Sequence, residues 1–273
     1  MALSRTMIGE LLERHDLAPS RALGQNFLCD GQMIDKIVRL AGVESGDRVV
    51  EIGPGLGSLT LGLCGAGADV VAIEVDRYLI PALTEVVGQY EHQGTLRILN
   101  ADVREVDWDD LLGERTATVV ANLPYNIATP LILDLLVAEP RLNRWLVMVQ
   151  REAGERLVAG PGSKTYGIPS VLLAYWAEAR IVGSVGAELF LPRPKVESVL
   201  VRIDRSPEPR VDADFAVLSN LVRTGFGQRR KMLRRSLSEL VTPEQFEQAA
   251  IEPTARPEEL AIEQWARLAT VTR

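Results

Sequence analysis

The sequence predicts a doubly wound α/β protein built on a parallel sheet, with a small all-helical domain after it. Three observations predict this. From residue 48 to about residue 150, short apolar runs alternate with stretches of helical periodicity, the pattern of strands joined by crossover helices. The first of those runs ends in a glycine-rich turn, Gly53-Pro54-Gly55-Leu56-Gly57, at the place where such sheets bind ligands. Past residue 205 the pattern changes. Arg205-Ser206-Pro207-Glu208-Pro209-Arg210 reads as a linker, and the residues beyond it are helical.

Taken in order, Ile8, Leu11 and Leu12 predict a short amphipathic helix. A polar stretch with Gly24-Gln25-Asn26-Phe27-Leu28 at its heart comes next, and Ile34, Ile37, Val38 and Ala41 recur at helical spacing up to Gly42. Strands are predicted at 48–52, 69–73, 96–99, 118–121 and 145–149. Helices are predicted at 59–64 and 78–87, and on Leu131, Ile132, Leu135 and Leu136. In the last part, Phe215, Leu218, Leu221 and Val222 read as helix, as do 232–240, 243–250 and 257–268. The expected division is an α/β domain over 1–205, with a helical segment over its first 42 residues, and a helical domain over 206–273.

Composition narrows the function. With 273 residues, 47% of them hydrophobic, the chain can bury a sizeable core without metals or disulfides. No apolar run reaches the roughly 18 residues that span a bilayer, and the first 15 residues lack a signal peptide's apolar block. Two cysteines, Cys29 and Cys64, and two histidines, His15 and His92, leave little material for a metal centre or Ser-His chemistry. A cytoplasmic, metal-free monomer is expected. The net charge of -7 hides a dipolar layout: residues 42–140 carry 5 basic and 16 acidic side chains, residues 141–235 carry 17 and 9. One face could therefore meet a polyanion while the rest keeps the protein dissolved.

The strand ends predict a nucleoside site. Gly53 and Gly55 let the backbone turn tightly and approach a ligand. The spacing is G-x-G-x-G rather than the dinucleotide-binding G-x-G-x-x-G. Glu74 closes the second strand, 21 positions after Gly53, where a carboxylate accepts ribose hydroxyls and repels a phosphorylated ribose. Asp102 lies after the third strand and could accept from an adenine amine, although Asp76 and Asp102 are also good helix caps. No P-loop lysine comes after the glycines, so an adenosine with a small or cationic tail fits best.

The fourth strand runs into Asn122-Leu123-Pro124-Tyr125-Asn126. An exocyclic amine is a poor nucleophile because its lone pair is delocalised into the ring. Two acceptors on its hydrogens would free that pair, and the Asn122 side-chain oxygen and the Leu123 carbonyl can supply them, with Pro124 keeping Leu123 extended. Tyr125 can stack on the base. An ordinary turn ending a strand is the plainer alternative for the same five residues.

These segments, together with 190–198 and Gln228-Arg229-Arg230-Lys231, resemble the ribosomal RNA adenine dimethyltransferases along nearly the whole chain. The pattern is nearer to the bacterial small-subunit (16S) enzymes than to the macrolide-resistance large-subunit ones, which usually carry a Gly-Ser-Gly loop. The resemblance implies a Rossmann-like class I methyltransferase sheet with S-adenosylmethionine as cofactor. It implies that Asn26, Leu28, Gly53, Gly55, Glu74, Asp102 and Asn122 bind that cofactor, and that Tyr125 and Phe190 sandwich a flipped adenine. The implied reaction dimethylates two adjacent adenosines in the 3′-terminal hairpin of small-subunit rRNA during ribosome assembly, with the small ribosomal subunit as partner. RNA binding falls to Arg223, Arg229, Arg230, Lys231 and Arg234, where Arg235 replaces the family's usual asparagine. Two other classes stay open: an adenine methyltransferase acting on large-subunit rRNA or DNA, and a non-catalytic assembly factor on the same fold.

Overall fold

The computed structural model describes residues 2–90 and 92–272. Nine strands are described: β1 (Phe27–Leu28), β2 (Arg48–Ile52), β3 (Asp69–Glu74), β4 (Thr95–Asn100), β5 (Ala117–Asn122), β6 (Leu142–Gln150), β7 (Ala177–Val185), β8 (Phe190–Leu191) and β9 (Ser198–Arg205). The helices are α1 (Arg5–Arg14), α2 (Gly31–Ala41), α3 (Ser58–Gly65), α4 (Ile80–Gly88), α5 (Trp108–Leu112), α6 (Ala128–Ala138), α7 (Arg151–Leu157), α8 (Ile168–Trp176), α9 (Phe215–Gly227), α10 (Leu233–Ser236), α11 (Pro243–Gln248) and α12 (Ile262–Val271).

Seven strands form one sheet in the order β4-β3-β2-β5-β6-β9-β7. The central strands are Val- and Ile-rich because helices cover both faces: Val49, Val50, Val71 and Val119 are fully buried. Val50 pairs with Val71 on one side and Val119 on the other, so β2 and β5 are adjacent and parallel. The chain builds outward from β2 through β3 to β4, then returns to build β5 and β6 on the other side. The switch point therefore lies between β2 and β5, and the Gly53 turn and the Asn122 motif both leave the sheet there.

The five strands expected from periodicity are all present, but the sheet is mixed. β9 runs antiparallel to β6, pairing Val147 with Val201 and Trp145 with Ile203. It is reached from β7 through residues 186–197, which hold a 3₁₀ turn and β8 and no crossover helix, and a parallel return needs one.

The N-terminal segment packs on the first βα unit. Ser4 caps α1 by accepting from the Met7 N–H at 3.3 Å. Ile8 and Leu11 join Leu3, Phe27, Leu56, Leu61 and Leu79 in one buried cluster, which seats α1 and β1 against the glycine turn. β1 pairs antiparallel with β8, Phe27 facing Leu191 and Leu28 facing Phe190.

The chain divides into two compact units: Met1–Gly154 with Arg180–Asp204, and Glu155–Ala179 with Arg205–Arg273. The second unit thus takes in residues 155–179 besides the expected 206–273. The reason lies in its core. Tyr166 donates to the Leu260 carbonyl at 2.9 Å and Tyr175 to the Ala213 carbonyl at 2.6 Å. Trp265 of α12 is fully buried, and a Cβ on Gly225 of α9 would come within 2.9 Å of its ring, so only glycine lets the two helices approach this closely. The helix expected over 232–240 is shorter, ending at Ser236, and that over 257–268 is a 3₁₀ turn, Pro257–Glu259, succeeded by α12. Among the described residues no helix is long and apolar enough to cross a membrane.

Candidate active site

The glycine turn is built from three residues at positive φ, Gly53 (70°), Gly55 (60°) and Gly57 (91°), a region that L side chains rarely adopt. Two of them also face close neighbours. A Cβ on Gly55 would meet the Phe27 ring at 3.1 Å, and one on Gly57 would meet Leu83 Cδ1 at 2.7 Å. Around Gly53 there is only open space, because it borders a cavity of about 270 Å³.

Glu74, at the end of β3, also lines that cavity and is 5% exposed. Its carboxylate accepts from the Gly55 N–H at 3.0 Å and the Asp76 N–H at 2.9 Å, which fixes its direction and leaves further lone pairs for a ligand. Burial raises its pKa, and those two N–H groups oppose the rise. Asp102 lies on the cavity wall beyond β4. Arg104 forks onto it, Nε to Oδ1 at 3.0 Å and Nη2 to Oδ2 at 2.6 Å, and holds its carboxyl below the usual range.

Asn122 ends β5. Its amide nitrogen donates to the Asn26 carbonyl at 3.1 Å, which sets the amide orientation, and Oδ1 has no hydrogen bond among the described residues; the residue lines the cavity. No hydrogen bond among the described residues ends on the Leu123 carbonyl, while the Leu123 N–H is tied to the Met148 carbonyl at 3.1 Å. The two acceptors expected from the sequence are therefore both unspent. Asn26, Leu28, Gly53, Gly55, Glu74, Asp102 and Asn122 all border the one cavity, with Pro124 at its edge.

The aromatic pair behaves differently. Tyr125 shares a 2.5 Å hydrogen bond with the Ser198 hydroxyl, and burial raises its pKa. Phe190 has no exposed surface and packs in the core with Leu28, Ile34 and Leu200. Neither ring borders the cavity, and no ring contact among the described residues joins them. The structure brings the cofactor-side residues together and leaves the expected base slot closed.

The sequence matches the family model for ribosomal RNA adenine dimethylase over residues 19–273. The chain belongs to the ribosomal RNA adenine dimethylase family. Similar proteins include the ribosomal RNA small subunit methyltransferases A of Leifsonia xyli, 44% identical over 96% of this chain and 95% of that one, and of Mycobacterium tuberculosis, 42% identical over 97% and 87%. Among solved structures, a dimethyladenosine transferase from Plasmodium falciparum superposes with a TM-score of 0.77 at 24% identity, covering 89% of this chain and 95% of that one. A 23S rRNA methyltransferase, ErmE, gives 0.70 at 24% identity over 90% and 99%. Those likenesses establish the class I methyltransferase fold, and family membership makes the chain an rRNA adenine dimethyltransferase dependent on S-adenosylmethionine.

The cavity fits that dimethylase cofactor on its own terms: a glycine gap that a Cβ would fill, a buried carboxylate with spare acceptors, and an unspent amide oxygen. Three further residues shape the site. Glu51, 1% exposed at the end of β2, borders the cavity and accepts from the Thr60 hydroxyl at 2.6 Å; burial pushes its pKa up to about 8. Gln25 straps the N-terminal segment to the end of β3, donating to Asp76 Oδ2 at 2.7 Å. Arg104 is the third. Glu51 lies two residues before Gly53, and the Thr60 hydroxyl, one helix turn past the glycines, is the sequence signal for its buried partner.

The basic residues lie in the second unit. Arg223, Arg230, Lys231, Arg234 and Arg235 are exposed. Arg229 is half-buried, donating to the Lys164 carbonyl at 3.0 Å with Glu258 at 3.6 Å. They do not share one helix. α9 ends at Gly227 and α10 begins at Leu233, so the cations spread over a helix end, a turn and a short helix.

Proposed function

We propose that the chain dimethylates N6 of two adjacent adenosines in the 3′-terminal hairpin of small-subunit (16S) rRNA during ribosome assembly. The observation that carries the reading is Asn122, which lines the cavity with its amide N–H committed to Asn26, followed by the buried Leu123, whose carbonyl has no hydrogen bond among the described residues. The names of the small-subunit relatives support the substrate class.

Asn26, Leu28, Gly53, Gly55, Glu74, Asp102 and Asn122 would hold the cofactor, Glu74 at the ribose and Asp102 at the adenine. When bound, S-adenosylmethionine supplies an electrophilic methyl group on a sulfonium. Asn122 Oδ1 and the Leu123 carbonyl accept the two amine hydrogens, drawing the nitrogen toward a tetrahedral shape and freeing its lone pair for direct SN2 attack. As the nitrogen–carbon bond formed, the methyl–sulfur bond would break and the sulfur would leave as a neutral thioether; the nitrogen, then cationic, would give its proton to water without a strong general base. In the second round only one N–H remains, so one acceptor suffices. Tyr125, its phenol held by Ser198, offers a stacking face. A stacking role for Phe190 requires β8 to move, because the ring has no exposed surface now. Arg223, Arg229, Arg230, Lys231 and Arg234 would bind RNA phosphates.

The test is tritiated methyl transfer to small ribosomal subunits from a strain lacking the modification, with nuclease mapping. Up to four methyls per subunit, all as dimethyladenosine in the 3′-terminal hairpin, is the expected result. Salt-sensitive binding without transfer would move the protein to the assembly factors.

A further inference from the structure

Most basic side chains of the first unit are neutralised by an acid. Arg14 pairs with Glu85, Arg48 and Arg115 with Asp69, Arg97 with Asp110, Arg141 with Glu139, and Arg180 and Arg202 with Asp204. Among the described residues Arg21, Lys36, Arg39, Arg193 and Lys195 have no such acid, and of these Arg21, Arg193 and Lys195 lie on the two loops at one end of the β1–β8 ribbon. All three are exposed, and none has an ion pair or a side-chain hydrogen bond among the described residues. The loop holding Arg193 and Lys195 contains one acid, Glu197, and Arg151 already occupies it at 2.7 Å. The local charge is therefore uncompensated, and Val196 between the cations and that acid is exposed at 43%.

Position gives these cations a purpose. In the antiparallel β1–β8 ribbon Phe27 faces Leu191, so the loop entering β1 and the loop leaving β8 emerge at the same end. The loop entering β1 touches the amine-orienting motif. Asn126 donates to the Ala22 carbonyl at 3.3 Å, next to Arg21, and a Cβ on Gly24 would lie 3.2 Å from Pro124 Cβ. Ser198, three residues past Lys195, holds the Tyr125 phenol. Three free cations thus sit on the loop that touches Asn122–Asn126 and on the loop that leads into Ser198.

We infer that Arg21, Arg193 and Lys195 form a phosphate-binding rim that holds the RNA strand on either side of the target adenosine, drawing the nucleotide to the Asn122 motif. This rests on the rRNA reading above. A strand whose base is turned out of its stack has lost pairing and stacking there, and only its backbone is left to hold in place. Exposed Arg and Lys with no acid to displace serve that purpose at no cost in broken ion pairs.

The experiment measures binding of the full-length protein to undermethylated small ribosomal subunits across a KCl series at fixed Mg²⁺, for the parent and for Arg21→Ala/Arg193→Ala/Lys195→Ala. Each lost phosphate contact should lower the slope of log K against log salt by about 0.7 to 0.9, so the triple variant should lose roughly 2 to 3. The KM for subunits should rise while the dissociation constant for S-adenosylmethionine stays within about twofold. Arg21→Lys/Arg193→Lys/Lys195→Arg keeps the charges and should keep the parent slope. An alanine variant with the parent's slope and KM overturns the rim and leaves the enzyme reading intact. A parent that neither binds nor methylates the subunits overturns the enzyme reading, and the rim with it.

Discussion

The two sides of the switch point differ in readiness. On the cofactor side, Gly53 opens onto a cavity, Glu74 is aimed by two backbone N–H groups, and the Asn122 amide is locked by Asn26. On the base side, Phe190 is wholly buried and Tyr125 is tied to Ser198, with no cavity bordering either ring. If Tyr125 and Phe190 hold the base as proposed, a small ligand meets a preorganised site while the base meets a closed one, which energy drawn from the rest of the RNA would have to open. The same protein should therefore bind cofactor without RNA but engage the target adenine only as part of a large substrate.

That contrast can be broken first at Asn122, which belongs to both sides. Asn122→Ala should cut single-turnover methyl transfer by about 10²- to 10³-fold, the scale of one lost transition-state hydrogen bond, while RNA binding persists. Transfer at the parent rate would end the amine-orienting role. Next in size, Glu74→Ala should weaken cofactor binding by about 1.5 to 3 kcal/mol in calorimetry without RNA, the scale of a hydrogen bond to a charged group. If affinity fell only when RNA was present, the cofactor side would not be preorganised.

Tyr125 sharpens the other half. Tyr125→Ala should lose about 1 to 3 kcal/mol of stacking, seen as slower transfer to RNA at unchanged cofactor affinity, whereas Tyr125→Phe keeps the ring and loses only the Ser198 hydrogen bond. Equal defects in the two would assign Tyr125 to holding Ser198 rather than the base.

The smallest effect concerns Glu51. Its pKa is raised to about 8 from 4.5, so the folded chain holds the proton more tightly than the unfolded one. The stability it contributes is full below the unfolded value and is lost as pH rises through about 8. Between pH 7 and 8 the parent should lose about 1 kcal/mol that Glu51→Gln does not, measured by cofactor-free thermal unfolding of both. Parallel curves would show that Glu51 is ionised throughout.

The cofactor side was legible because its chemistry sits at strand ends. Glycine at positive φ, an acid after β3 and an acid after β4 each leave a mark on the local sequence. The base side was half legible. The motifs marked Tyr125 and Phe190 as a pair, but the burial of Phe190 depends on Leu28, Ile34 and Leu200, contributed by other parts of the chain. β7 and β9 escaped the periodicity for opposite reasons. β7, at the sheet's edge, reads Ala-Glu-Ala-Arg-Ile-Val-Gly-Ser-Val with only its two end residues buried, while β9 runs from a proline-rich stretch straight into the linker. The basic block was legible as charge and not as shape, because residues 228–232 interrupt the helix.

The second unit is assembled from two separate stretches, with Tyr166 and Tyr175 of the first bonded to Leu260 and Ala213 of the second. No single cut therefore separates the first unit cleanly. A chain stopped at residue 205 would leave two tyrosine hydroxyls and the surfaces around them without their partners. Moving this unit into another chain would require both stretches at once.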